Sequence, residues 1–300
     1  MRRLNNPFRG RLPLLLFFSA ALALGSLATS RMQADDPGPL RVCAERHNMP
    51  FSNTNGDGFE NKLVELIAAE LGRPLDYIWT TPQRDSLREA LAGGSCDVVA
   101  GVPSQPGWAQ TTRPYYWSSY VFISRADRKL DITSLKDHRL RLMKIGVASV
   151  RSDRLFTPPA HILAEAGLRE NLIGYPIDTG GPEQRARIIG AVARDDIDIA
   201  AVWGPSVGYF AQRSPVPITV TPIGDTDEFS SRKAHFELLG LQYEIAMGVR
   251  RGNDALRQVL DQAIMRKKSE IDALLRGFGV PLIQPAQLSA VATPSSGPSD

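Results

Sequence analysis

The chain has 300 residues, 43% hydrophobic and 22% charged, which is ordinary soluble globular material and excludes both a disordered chain and a membrane bundle. That length suits two compact units, because single hydrophobic cores rarely grow beyond a couple of hundred residues. The formal charge of +3 comes from Arg2, Arg3, Arg9 and Arg11; without them 31 basic side chains face 32 acidic ones, and a nucleic-acid role loses its electrostatic support.

Those arginines precede an apolar run, Leu14 to Leu24, and then Ser26-Leu27-Ala28. A charged start, an apolar core too short to span a bilayer, and small residues before the cut make a secretory signal. Cleavage is expected near Ala28, by ordinary Sec export, since Arg2-Arg3 lacks the fuller twin-arginine context. An uncleaved anchor is the alternative. The mature chain is then expected in the periplasm with no stable membrane span, and residues 29–39 form a polar spacer.

Leu40-Arg41-Val42-Cys43-Ala44 reads as a first strand, and its exit loop runs from Glu45 to Gly58. Apolar residues at 59, 63, 66, 67 and 71 have the spacing of a helix with one buried face. Leu75–Trp79 reads as a second strand, Arg84–Leu91 as a helix and Asp97–Gly101 as a third strand. This alternation implies right-handed crossovers and a parallel sheet with the first strand in the middle. The loops 45–58 and 102–116 then leave one carboxyl edge side by side, where open α/β sheets bind ligands.

Tyr120–Ser124 reads as the strand that leaves this first unit, placed at 40–124. A second unit, 125–239, repeats the alternation with strands at Met143–Ala148, Leu172–Ile177, Ile197–Trp203 and Ile218–Pro222. Helices are expected after Ser149 and from Glu183 to Ala193. Leu241–Arg250 alternates as a returning strand, and helical stretches follow over 254–265 and up to Arg276. Residues 240–285 thus close the first unit, and 286–300, Ser/Pro/Ala-rich, read as a solvated tail.

Cys43 and Cys96 would meet an oxidising compartment, so a disulfide is one expectation. If their strands are parallel neighbours starting level, the offset approaches ~10 Å at roughly 3.3 Å per residue, more than a bridge tolerates. Two buried thiols are the other expectation. The cysteines and the scattered histidines (His47, His138, His161 and His235) have no metal-ligand spacing.

Several short motifs stand in a fixed order: Pro50-Phe51-Ser52, Gly58-Phe59-Glu60, Cys96-Asp97-Val98-Val99, Arg113-Pro114-Tyr115-Tyr116, Gly146-Val147 and Ala246-Met247-Gly248-Val249-Arg250. Together they resemble the two-lobed periplasmic binding proteins over nearly all of 40–284. The resemblance implies a type II α/β fold: two lobes, each a mainly parallel sheet flanked by helices, joined by two hinge-crossing strands. The amino-acid-binding branch clamps its ligand with an arginine ahead of Pro-Tyr and an aspartate after the third strand of lobe 2. Here Gly107-Trp108-Ala109 and Gly204 stand in those places, so an α-amino acid is not the expected ligand.

A narrower likeness rests on Asn48-Met49-Pro50-Phe51-Ser52-Asn53, Trp79-Thr80-Thr81-Pro82-Gln83-Arg84 and Thr111-Thr112-Arg113-Pro114-Tyr115-Tyr116. These resemble the "J" components found with quinoprotein methanol dehydrogenases. The resemblance implies a non-catalytic accessory protein of a PQQ-dependent dehydrogenase, binding that enzyme or a segment of it. It implies neither PQQ nor a metal on this chain, so no cofactor is expected. The alternatives are an ABC-importer receptor for a small polar solute and an enzyme on the same fold, similar to cyclohexadienyl dehydratase. No nucleophile elbow, zinc motif, phosphate loop or dinucleotide fingerprint favours catalysis.

The residues weighed for binding follow from this layout. Glu45 and Phe51 lie in the first exit loop, and Gln83-Arg84 lie at the carboxyl edge of the second strand. Arg113 offers a planar donor fork or braces the hinge. Trp108, Tyr115, Tyr116, Trp117 and Trp203 would line an aromatic opening or fill the core. Ser149, between a strand and a helix, would present backbone N–H groups to an anion. Glu60 reads as a helix-start glutamate favoured by the dipole, and nothing in the sequence pairs it with Glu45.

Overall fold

The computed structural model describes residues 38–81, 86–104, 106–150, 155–176, 182–224 and 240–283. The expected signal sequence, most of the expected spacer, Gln83 and Arg84, and the expected tail (286–300) lie outside the described residues. The first half of the fold contains β1 (Leu40–Glu45), a ribbon of β2 (His47–Asn48) and β3 (Ser52–Asn53), and α1 (Phe59–Leu71). It continues through β4 (Leu75–Thr80), α2 (Ser86–Ala92), β5 (Val98–Pro103) and β6 (Gln110–Thr111) to a long strand, β7 (Tyr116–Arg125).

The second half has β8 (Ile145–Val150), β9 (Leu155–Phe156), α3 (Pro158–Leu163), β10 (Leu172–Pro176) and α4 (Pro182–Ala193). It ends with β11 (Ile199–Trp203), α5 (Gly204–Ala211) and β12 (Ile218–Pro222). The chain then returns through β13 (Gln242–Val249) to α6 (Asp254–Arg266) and α7 (Lys268–Gly277).

β1 pairs in parallel with both β4 and β5, which places it inside its sheet. Its β-branched and apolar residues are covered on one side by α1, which buries Phe59, Leu63, Val64, Ile67 and Ala68. That spacing matches one face of a 3.6-residue repeat. Gly72, in the left-handed region at φ 63°, ends the helix. Helices α6 and α7 complete this core through Leu260, Ala263, Ile271 and Leu275. In the other half, separate apolar clusters sit on the two faces of β8 and β11.

The cysteines are bridged, with Cα atoms 5.5 Å apart. The level-strand extrapolation fails because Cys96 is not in a strand. It lies before Val98, the first residue of β5, where the chain bends back from α2. The bridge sits in a small apolar cluster with Leu91, Val99 and Val102.

β7 positions the site. Its first residues, Tyr116–Ser119, pair antiparallel with Ile245–Gln242 of β13. Beyond that point it changes partners. Tyr120–Ile123 pair with Trp203–Ala200 of β11, and Val121–Arg125 pair on the other edge with β12. One continuous strand therefore serves both halves, and the residues at the exchange point, near Tyr120, lie where the halves meet.

Candidate functional site

Side chains alternate along a strand, so Tyr116, Ser118 and Tyr120 share one face of β7. Ile245 and Tyr243 of β13 lie opposite Tyr116 and Ser118, and Trp203 of β11 lies opposite Tyr120. Aromatic rings from three strands thus converge at the exchange point. Trp203 sits between the other two, edge-on to Tyr120 at 5.4 Å between centroids and to Tyr243 at 5.6 Å. Such tilted pairs suit the ring quadrupoles.

Opposite this wall stands the exit loop of β1. The start of α1 fixes it: the amides of Phe59 and Glu60 donate to the carbonyls of Pro50 and Phe51 at 2.8 and 2.9 Å. Asn61 Oδ1 accepts from the Asn53 and Gly58 amides. Gly58 is required here, since a β-carbon would run into the Phe51 carbonyl. The result is that Phe51 and Glu60 are presented side by side toward the cleft.

Two adjoining cavities open between these walls, sharing Phe51, Tyr120 and Trp203. One, about 230 Å³, is bounded by Tyr175 and Arg185 of the second half. The other, about 400 Å³, reaches Glu60, Gly101, Tyr116 and Tyr243. Gly101 makes room for the Glu60 carboxylate, which occupies the space where a side chain would begin.

The charges in the cleft are few and mutually dependent. Arg185, from the first turn of α4, donates to the Met49 carbonyl at 3.1 Å and lies over the Phe51 ring, 5.5 Å from its centroid. Burial lowers its pKa, and the facing Glu45 and Glu60 oppose that. Burial raises the Glu45 carboxyl, with Arg185 opposing. Glu60 is pushed up to about 8, first by burial and then by the neighbouring Glu45, with Arg185 opposing. Among the described residues the Glu60 carboxylate has no hydrogen-bond or ion-pair partner. Tyr115 and Tyr116 are both pushed up by burial, and Glu60 adds to the effect.

Of the residues weighed from sequence, the structure places Phe51, Tyr116 and Trp203 on the cleft cavities, and Glu45 in a neighbouring pocket that shares Phe51, Glu60 and Gly101 with them. It does not place the others there. Trp108 packs against the disulfide cluster, because its loop folds back over β5. Tyr115 is buried in the first core, its hydroxyl donating to the Ala100 carbonyl at 2.9 Å. Trp117 alternates to the opposite face of β7. Arg113 lies on the outside against α6, its amide donating to Asp261 at 2.7 Å and its guanidinium reaching Met265. Ser149 is no helix start: β8 runs on to Val150, pairs Ser149 with Phe156 and Pro176, and α3 begins only at Pro158. Gln83 and Arg84 lie outside the described residues.

Sequence reasoning missed Arg185, Tyr120, Tyr175 and Tyr243, and it left Glu60 as a helix-start residue. The alternation of Tyr116 with Tyr120, and of Tyr243 with Ile245, was a usable signal once those strands were known to be neighbours. Nothing local to Arg185 marked it, because its partners are more than a hundred residues away. Among the described residues, no group of three His, Cys, Asp or Glu side chains could hold a metal ion. No helix among them is long and apolar enough to cross a membrane.

The model of the bacterial extracellular solute-binding proteins, family 3, matches residues 40–279. The chain belongs to that family. It is similar to Protein MoxJ of Paracoccus denitrificans, 33% identical over 88% of this chain and 95% of that one. Among solved structures it is similar to MxaJ from Methlophaga aminisulfidivorans MPT, with a TM-score of 0.69, 25% identity, and coverage of 81% of this chain and all of that one. It is also similar to the periplasmic binding protein XoxJ from Methylobacterium extorquens AM1, with a TM-score of 0.65, 32% identity, and coverage of 82% and 99%. The fold is thus the type II binding-protein fold that the motif order implies.

Proposed function

We propose that this chain is a non-catalytic periplasmic accessory protein of a quinoprotein methanol or alcohol dehydrogenase, which binds the enzyme or a segment of it through the aromatic cleft and acts in its maturation or activation. The observation that carries this reading is the character of the cleft wall. Tyr120 and Trp203 line both cavities, and Tyr243 extends the wall of the larger one. Aromatic surfaces of this kind anchor protein partners. Arg185, bonded to the Met49 carbonyl, is engaged with the protein's own loop. The likeness to MoxJ, MxaJ and XoxJ supports the same direction.

A second reading has one observation in its favour. The larger cavity, about 400 Å³, is of small-ligand size, as a solute receptor of an ABC importer would need. The test uses the tagged mature chain and purified quinoprotein dehydrogenase, mixed and resolved by size exclusion. A complex is expected, weakened at least tenfold by Trp203→Leu and unchanged by Trp108→Leu, whose side chain lies away from the cleft. No complex, together with a small polar solute that raises the melting temperature, would overturn the accessory reading in favour of the receptor.

A further inference from the structure

The exchange point on β7 is gripped by the last described residues of the chain. Gly279, in the left-handed region at φ 69°, turns the chain off the end of α7. Its amide and that of Val280 donate back to the Arg276 and Leu275 carbonyls at 2.9 and 3.0 Å. Residues 278–283 then lie against both halves of the fold.

On the first half, Phe278 meets Phe59 of α1 edge-on, 5.9 Å between centroids, and Val280 is buried in the first core. On the second half, the same Phe278 ring stacks on Tyr209 of α5 at 5.6 Å, and Gly279 lies directly on Gly208 of that helix. Between these contacts the segment follows β7. The Ile283 amide donates to the Trp117 carbonyl at 3.0 Å, and the Ser118 hydroxyl donates to the Pro281 carbonyl at 2.6 Å. Gly204, the residue after Trp203, is wedged between the Pro281 ring and the Ser119 carbonyl. A β-carbon there would lie 2.8 Å from each.

A hinge works by changing φ and ψ at a few residues that have room to move. The exchange point has no such room: Ser118 and Ser119 are fully buried, and the segment holds strand, first core and α5 at once. Contacts of backbone on backbone leave no slack to absorb a rotation. We propose that residues 278–283 are a splint that immobilises β7 where it changes partners, so that the two halves keep one orientation and the cleft one width. Through Gly204 the splint also fixes Trp203 in the cleft wall. The inference goes beyond the accessory reading, because it concerns how the cleft is held and not what the cleft holds.

The test is a distance measurement by double electron–electron resonance on the mature chain. Nitroxides are placed at two exposed positions, Lys62→Cys on α1 and Arg187→Cys on α4. The natural cysteines are bridged, so only the introduced thiols are labelled. One narrow maximum is expected. Gly208→Ala drives Gly279 off α5, and Tyr209→Ala/Pro281→Gly removes the ring contacts without a clash. Each should broaden the maximum or move it by more than about 2 Å, the scale of hinge motions. The Arg185–Met49 bond is intact in all of these chains, so it does not account for a difference between them. Should circular dichroism show Gly208→Ala unfolded, the double variant decides by itself. Two maxima in the parent, or an unchanged distribution in the variants that fold, would overturn the inference. No dehydrogenase enters the measurement. A single maximum in a chain that forms no dehydrogenase complex would uphold the splint and remove the accessory reading, and two maxima in a chain that forms the complex would do the reverse.

Discussion

Arg185 reaches across the cleft from the first turn of α4 to donate to the carbonyl of Met49, 136 positions earlier in the chain, at 3.1 Å. It is a charged cross-link between the two halves of the fold, and its removal has consequences on both sides.

Arg185→Met should remove the cation that eases the burial of both Glu45 and Glu60. Losing a hydrogen bond from a charged donor should cost about 2 kcal/mol. The midpoint of urea unfolding is expected to fall by the corresponding amount at pH 7. Small-angle scattering should also show a larger radius of gyration if the cross-link holds the halves together; an unchanged radius would mean that β7 and β13 alone set their spacing.

Glu60 should make stability fall with rising pH. Its folded pKa, about 8, lies above its ordinary value of 4.5. Between those values the native state holds a proton that the unfolded chain has released, so unfolding gains ground as pH rises. The stabilising contribution is complete below pH 4.5 and is lost through pH 8. Glu60→Gln cannot ionise. Its melting temperature should exceed that of the parent at pH 8.5, and the difference should vanish near pH 4.5.

The disulfide joins cysteines 53 positions apart. Closing a loop of that size restricts the unfolded chain and is worth about 2–4 kcal/mol. The double variant Cys43→Ala/Cys96→Ala should lose that amount in chemical denaturation while keeping its circular dichroism. A thiol titration of the unfolded parent that finds free thiols without reductant would refute the bridge.

Two helical glycines should respond in opposite ways to alanine. Gly208 of α5 packs directly on the backbone of Gly279, and a β-carbon there would collide with its carbonyl. Gly208→Ala is expected to cost about 1–3 kcal/mol through overpacking. Gly190 of α4 meets only the end of the Arg194 side chain, which can move aside. Gly190→Ala should stabilise by about 0.5–1 kcal/mol, because alanine restricts the unfolded chain. Paired melting curves of the two variants check both signs.

The sequence by itself determined the alternation of strands and helices, the central place of β1, and the return of the chain through β13. Each follows from local periodicity and from rules of connection that act over a few dozen residues. It also located Phe51 at the cleft, because the loops after parallel strands share an edge, and it weighed Trp203 for the same aromatic opening. The family likeness was legible in the order of short motifs for the same reason.

The tertiary structure decided what the cleft contains. Arg185 comes to act on Glu45 and Glu60 only because α4 reaches the loop after β1, and no local pattern records that approach. The same holds for the aromatic wall. Tyr120 and Trp203 become neighbours when β7 changes partners from β13 to β11. Trp108 and Cys96 were misplaced by treating the chain as straight where it bends. Periodicity tells which face of an element is buried. Which distant side chain shares that face depends on how the elements pack, and there electrostatics and burial depend on neighbours that are remote in sequence.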